Sequence, residues 1–483
     1  MAKKHRMSTD IPDSITTPDK METRLGTLEF FDGYPSHDTV QKCYDNLVFM
    51  RGVEVFLNWM PAASLFALRE GFREAGITRN GIIGIYEDLM DSRSIFLTAN
   101  IDSIYTITWL DLRDGPMVVE SPPNTLGMVN DFFFRYVADL GNAGPDRGQG
   151  GKFLFLPPDY EGDVPEGYFV YRSSTFGNVL FWRGFLVDGD PGPGVESIKT
   201  HTRIYPLSEP GEKEKTEFIN WSGLAFNTVH ANNFHFYEEV NSVIQEEPSE
   251  AFSPELLGLL LSIGMEKGKA FSPDARIRGI LDEAVAVGNA TARAISFNQK
   301  GNEAIEGAFL YENSAWFNPF LGSYQFLRNG ARVLDARTMF HFPYTAVTPA
   351  MAIKRVGIGS QYAIATLDAD GNYLDGSNRY KLHLPPDVPA KDFWSVLVYD
   401  PQTRSMLQTD QQFPGLNNMK GVTLPNEDGS YDIFFGPEAP EGKGGNWIQT
   451  IPGKGFFVIL RIYGPLESWF NQTWRPSEIM NVG

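Results

Sequence analysis

The chain has a single cysteine, Cys43, among its 483 residues. One thiol excludes any intrachain disulfide and any zinc site built on several cysteines. Long apolar runs are missing too: no stretch approaches the roughly 20 apolar residues of a membrane helix. The opening MAKKHRMSTDIPDSITTPDK is basic, but no apolar core follows it, so it does not read as a secretory signal. The expectation is a cytoplasmic protein with a flexible leader over 1–30, with export through a signal outside this sequence left open. Positive charge is scarce: Lys+Arg total 41 against 60 Asp+Glu, a net charge of −19. Tracking a phosphate backbone needs cations on the protein, so the balance argues against nucleic acid as a partner and equally against an anionic membrane surface.

Familiar catalytic motifs are absent as well. There is no G-x-S-x-G elbow, S-x-x-K, H-E-x-x-H or phosphate-binding G-x-x-x-x-G-K-[ST]. GQGGK (148–152) and GKGGN (442–446) fit no nucleotide fingerprint and read as loops. No cofactor and no metal are expected. Asp368, Asp370 and Asn372 imitate a calcium loop, but Gly371 falls at position four and Arg379 at twelve, so a hairpin turn is the better reading. His235 and Glu239 share a helical face that His230 does not join, which leaves a solvated helix end.

What the chain does have is turns and rings: 47 Gly, 32 Pro and 13% aromatics, a composition that suits numerous short strands. Helical spacing runs from Asp38 to Met60 with Gly52 as a weak point. Pro61 is expected to interrupt it, and 62–72 resumes the pattern. From Ile104 the period changes. Strands are expected at 104–112, 116–121, 128–140, 152–156, 168–172, 179–187 and 202–207, then at 361–367, 378–384, 393–400, 430–436 and 455–464. The triplets FFF (132–134), FLF (153–155) and FFV (456–458) read as core filling. Between the strand blocks, Phe252-Ser-Pro-Glu255 and Phe271-Ser-Pro-Asp274 each read as a helix start, with Ser as N-cap and Pro in the first turn.

One polar cluster stands out: Asn100, Asp102 and Tyr105, with Trp109 and Asp111 beyond. An amide, a carboxylate and a phenol near one strand mouth can bind a polar ligand or position a water. A strand-entry cap, with Asx side chains on neighbouring N–H groups, explains the same residues. Arg172, at the end of YFVYR, can clamp an anion or pair with Asp102.

These elements, N-x-D-x-x-Y at 100–105, WLDL (109–112), GGKFLFLPPDY (150–160) and VYRSST (170–175), resemble a two-part, mostly bacterial family of unknown function. Its halves are domain of unknown function 1254 and domain of unknown function 1214. The second half is matched by LDGSNRYKLHLPPDVP (374–389), FWSVLVYDPQTRSML (393–407), NWIQTIPGKGFFVILRIYGP (446–465) and TWRPSEI (473–479). Ser103 stands where that family usually has Thr, and Ser174 where it has Pro. The resemblance implies a mainly β protein with helical segments, two jelly-roll-like β-sandwich domains joined by a helical region. The expected boundaries are 31–240 for helices plus the first sandwich, 241–336 for the helical connector and 337–483 for the second sandwich. Two functions of different class are open. One is a hydrolase-like enzyme acting on a small polar or carbohydrate-like substrate in an interdomain cleft, with Asp102 as base, Tyr105 as donor and Arg172 as anion stabiliser. The other is a non-catalytic β-sandwich binding a glycan or small molecule. Asn100, Trp109, Arg379 and Trp394 are the candidate ligand-binding residues.

Overall fold

Alternation with period two runs through the strands, and most of it is buried on both sides. The computed structural model describes residues 7–419 and 423–483, and its sheets are all open, none closed into a barrel. The first half holds a six-stranded sheet in the order Glu217–Asn220, Ile82–Ile85, Ile104–Asp111, Gly177–Gly184, Thr125–Asp131 and Tyr136–Gly141. A four-stranded sheet faces it: Phe169–Arg172, Gly151–Leu156, Met117–Ser121 and Arg203–Pro206. Leu110, Val129, Leu180 and Trp182 of one meet Val119, Phe153, Phe155 and Ile204 of the other in a single buried cluster. Each such side chain, taken fully out of water, contributes about 1.5–3 kcal/mol.

The second half repeats the plan. Ser360–Ala365, Phe457–Pro465, Ala390–Tyr399 and Gly415–Asn417 form one sheet. Trp447–Gln449, Tyr431–Gly436, Tyr380–Leu384 and Met480–Asn481 form the other. Ala363, Leu382, Trp394, Val396, Ile433 and Leu460 share the core between them.

The helices form one layer rather than a linker. His37–Glu74 is a single 38-residue helix, capped by Ser36, whose side chain accepts from the Thr39 N–H. It packs on Ala275–Phe297, His235–Glu246, Pro254–Leu261 and Leu334–His341. Gly52 is the point of closest crossing: a Cβ there would stand 2.7 Å from Ala284 Cβ. Pro61 does not interrupt this helix, contrary to expectation. Proline at 61 leaves the Leu57 carbonyl without its helical donor, and the Thr338 hydroxyl donates to that oxygen at 3.3 Å. Among the described residues no helix is long and apolar enough to cross a membrane.

Three other expectations are corrected. The stretch 128–140 is two strands, because Asp131 caps a turn at the three phenylalanines: Oδ1 accepts from the N–H groups of Phe133 and Arg135, both at 2.9 Å, and Phe134 takes φ +54. The FFF rings lie outside the core between the two sheets: Phe133 packs on Trp59 of the long helix and Phe132 on Trp109 of strand Ile104–Asp111. Ser253 caps Pro254–Leu261 as expected, but the next helix starts at Ala275 with Asp274, not Ser272, as its cap. Finally, the leader is ordered from Lys20. Lys20–Thr23, Gly26–Phe31 and Tyr34–Pro35 form a meander docked on the long helix, where the Glu29 N–H donates to Thr39 Oγ1 at 2.8 Å.

Candidate functional site: the cleft between the two halves

The strands that bury one face in a sheet pair turn the other toward the opposite half. In Gly177–Gly184, Leu180 and Trp182 enter the inner core, so Phe181 and Arg183 face the cleft. In Phe457–Pro465, Leu460 and Ile462 enter the second core, so Ile459 and Arg461 face it from the other side. Tyr362 and Ile364 follow from Ala363 and Ala365 by the same rule, and Phe340 and Met351 close the cleft from the helical side. Between them lies a cavity of about 90 Å³ inside a cleft with about 910 Å³ of empty space, open solvent at its mouth included. A water needs about 10–15 Å³ on the first measure, so there is room for several waters or a small ligand.

The polar part of the wall is cationic. Arg461 is buried and bridges the halves: Nη1 donates to the Tyr399 hydroxyl at 2.6 Å and Nη2 to the Thr98 carbonyl at 2.7 Å. Tyr399 in turn donates to the Ala99 carbonyl at 2.6 Å. Burial opposes the Arg461 charge, but the phenol oxygens of Tyr399, Tyr463, Tyr105 and Tyr362 more than offset it, and the group stays protonated. Arg183 is half-buried and interacts electrostatically with Tyr362, whose hydroxyl is 2.7 Å from that of Ser360. Among the described residues neither guanidinium is paired with a carboxylate. Tyr105 accepts from Asn100 N at 3.2 Å and Nδ2 at 3.0 Å, so its own proton is free to be donated. Burial pushes that phenol upward in pKa, against Arg183 and Arg461, which keeps the proton in place. The Thr345 hydroxyl, also in the wall, is buried without a partner.

A carboxyl faces the same space. Asp139, on the last strand of the six-stranded sheet, accepts from the Thr348 hydroxyl. Burial raises its pKa to about 6, against the Thr348 bond and the charge of Arg355. A carboxyl raised to about 6 in the wall of a cleft that also holds two arginines is the kind of perturbed group that marks functional sites.

The residues singled out from the sequence scatter. Tyr105 and Asn100 line the cleft. Asn100 is also the strand-entry cap, its Oδ1 accepting from the Asp102 N–H at 3.0 Å. Asp102 lies behind the wall at the junction, where Oδ1 accepts from Asn417 Nδ2 at 3.0 Å and Oδ2 has no partner. Burial drives its carboxyl upward in pKa. Arg172 is not brought to these residues: Nη1 donates to the Pro157 and Pro158 carbonyls at 3.0 and 3.2 Å. Trp109 packs on Phe132 beside Arg69, away from the cleft. Trp394 is core between the second pair of sheets, and Arg379 is exposed near Glu438, at 3.7 Å. Asp368 caps the expected turn, accepting from the N–H groups of Asp370 and Asn372. Among the described residues no group of three or more His, Cys, Asp or Glu is placed to hold a metal ion.

Arg183, Arg461, Tyr362 and Asp139 escaped the sequence reading. A signal existed for the arginines: each interrupts an otherwise apolar strand, VLFWRGFLV and FFVILRIYG, where a charge needs a reason.

The wall residues come from two separately recognisable segments. Residues 82–206 match the protein family of unknown function DUF1254, and residues 359–467 match DUF1214. The chain carries both domains, in that order. The DUF1254 segment supplies Asn100, Tyr105, Asp139 and Arg183, and the DUF1214 segment supplies Tyr362 and Arg461. The fold is similar to that of the VPA0106 protein from Vibrio parahaemolyticus, with a TM-score of 0.53 and 18% identity over 91% of this chain and 100% of that one. An uncharacterized protein from Burkholderia cenocepacia aligns with a TM-score of 0.40 and 12% identity, over 92% of this chain and 96% of that one. The comparison with curated proteins gives no match.

Proposed function

We propose that the cleft between the DUF1254 and DUF1214 halves binds a small organic anion with an apolar body, and that Asp139 acts on it as an acid–base group in hydrolase-like chemistry. The reading rests on one observation: Arg183 and Arg461, without carboxylate partners among the described residues, line one cavity whose apolar wall includes Phe96, Phe181, Phe340, Met128 and Ile459. Two guanidiniums and the free phenol proton of Tyr105 suit an acid group, and the rings suit the rest of the molecule. This narrows the expected polar or carbohydrate-like substrate to an amphiphilic acid or its ester. We also read each pair of facing sheets as a β-sandwich of the jelly-roll type, which their shared buried clusters support.

The test is thermal unfolding with a panel of alkyl and aryl carboxylates. A ligand at 100 times its Kd adds about 2.7 kcal/mol. For 483 residues the unfolding entropy is on the order of 1 kcal/mol/K, so the shift is about 3 °C. The shift is expected to vanish in Arg183→Ala, and turnover of the matching esters in Asp139→Asn. An equal shift in Arg183→Ala would sink the assignment. Glycan stacking is the second reading, favoured by Phe31 and Tyr34, which stand opposite each other across the meander and are 82% and 76% exposed. A glycan array on which Tyr34→Ala binds like the parent protein would end it.

A further inference from the structure

A second cluster of cations lies outside the cleft. Arg135 leaves the FFF turn, and Arg332 and Arg337 flank the start of helix Leu334–His341. All three line a separate cavity of about 340 Å³ together with Phe252, Phe326 and His341. Each guanidinium is anchored by a neutral acceptor: Arg135 Nη1 by the Ala251 carbonyl, Arg332 Nη1 by the Gln325 carbonyl and Arg337 Nη2 by Asn58 Oδ1 at 2.8 Å. The anchoring leaves donors over. Arg337 and His341 are both buried, yet Arg337 Nε and His341 Nδ1 have no partner.

The charge does not balance either. Among the described residues, the one carboxylate paired with these groups is Asp131, on Arg135 Nε at 2.6 Å. Three like charges are thus held together against one opposite charge, a surplus of two. The groups feel it. Burial and then Arg332 push Arg337 down to about 10, and burial with Arg337 and Arg332 keeps His341 neutral. Gathering like charges and leaving a buried donor unbonded both cost free energy, and a bound dianion would relieve both. The aromatic rings beside the arginines, Arg337 at 5.9 Å and Arg135 at 5.8 Å from Phe133, hold the guanidinium planes in place without neutralising them.

We infer that this cavity is a binding site for a phosphate-type dianion, held by Arg135, Arg332 and Arg337 and separate from the cleft between the two halves. Inorganic phosphate and the phosphate of a small monoester offer the same chemistry. The free Nε of Arg337, the spare nitrogens of Arg332 and the imidazole of His341 are its donors.

Calorimetric titration with inorganic phosphate tests the inference. Saturable binding is expected, weakened at least about tenfold in Arg332→Ala, since one charge-assisted bond contributes about 1.5–3 kcal/mol. Arg332 is exposed, so that variant keeps the fold. Arg183→Ala, which alters the other cleft, is expected to leave phosphate affinity unchanged. A small monoester such as glycerol phosphate competing with phosphate separates the two sources in favour of the ester if it binds more tightly. No saturable heat with the wild-type chain, equal affinity in Arg332→Ala, or loss in Arg183→Ala would overturn the assignment. So would acetate competing as well as sulfate, because that removes the preference for a dianion.

Discussion

Replacing Asp139 with Asn takes away a charge while keeping the shape and the oxygen that accepts from Thr348. The wild-type carboxyl titrates at about 6 in the fold and at an ordinary 3.8 when exposed. Its folded pKa is raised, so the folded state holds the proton more tightly than the unfolded chain does. The resulting stability is fully present below pH 3.8 and is lost as pH rises through about 6. The gap is a little over two units at about 1.36 kcal/mol each, or about 3 kcal/mol. Asp139→Asn never ionises and escapes that loss. The two proteins are expected to have nearly equal stability at pH 4, with Asp139→Asn ahead by about 3 kcal/mol at pH 8. Urea denaturation across that range, read as the difference between the two, measures it. Glu239 and Glu247, raised to about 8 and about 7 chiefly by burial, bend both curves alike and cancel in the difference. A difference that does not change with pH, or one that favours the wild type at pH 8, would refute the reasoning.

Tyr399→Phe removes a donor to the Ala99 carbonyl and an acceptor of Arg461, so it is expected to cost about 2–4 kcal/mol and to increase proteolysis at the junction, read by urea midpoint and limited trypsin digestion. Thr338→Val leaves the Leu57 carbonyl beneath Pro61 without its donor and should lower stability by about 1–3 kcal/mol, seen by circular dichroism of the helices. Arg69→Met strips Glu246 of a two-point ion pair and removes a cation stacked on Phe66, Trp109 and Phe132. A loss of about 2–3 kcal/mol in denaturant titration is expected, and Glu246→Gln in the same background should recover part of it.

The strands of both halves were legible because alternation and turn residues repeat at short range, as in Tyr380–Leu384 and Gly151–Leu156. The break inside 128–140 was not, since three phenylalanines carry no turn signal and the cap is a single Asp131. Pro61 misled for a related reason: the donor that rescues its helix, Thr338, is far away in sequence. In the cleft, Asn100 and Tyr105 could be found because they sit side by side at a strand entrance. Arg183 and Arg461 meet only after two separately folded sheet pairs are brought together, and no local spacing encodes that meeting. Arg172 drew attention by lying at a strand end beside hydroxyls, and the fold spends it on the carbonyls of Pro157 and Pro158.

The strand Phe457–Pro465 is buried along its whole length. A strand of that kind is an ambiguous part: shifted by one residue it still presents apolar side chains to both sides, and composition alone does not reject the error. Arg461 makes it unambiguous. After a one-residue slip its guanidinium would enter the dry space beside Leu382 and Trp394, an apolar layer that holds no anchor for a guanidinium, while Leu460 would lose its seat. The group that gives the cleft its charge therefore also fixes the register of its strand, because a slipped pairing would bury a guanidinium without a partner.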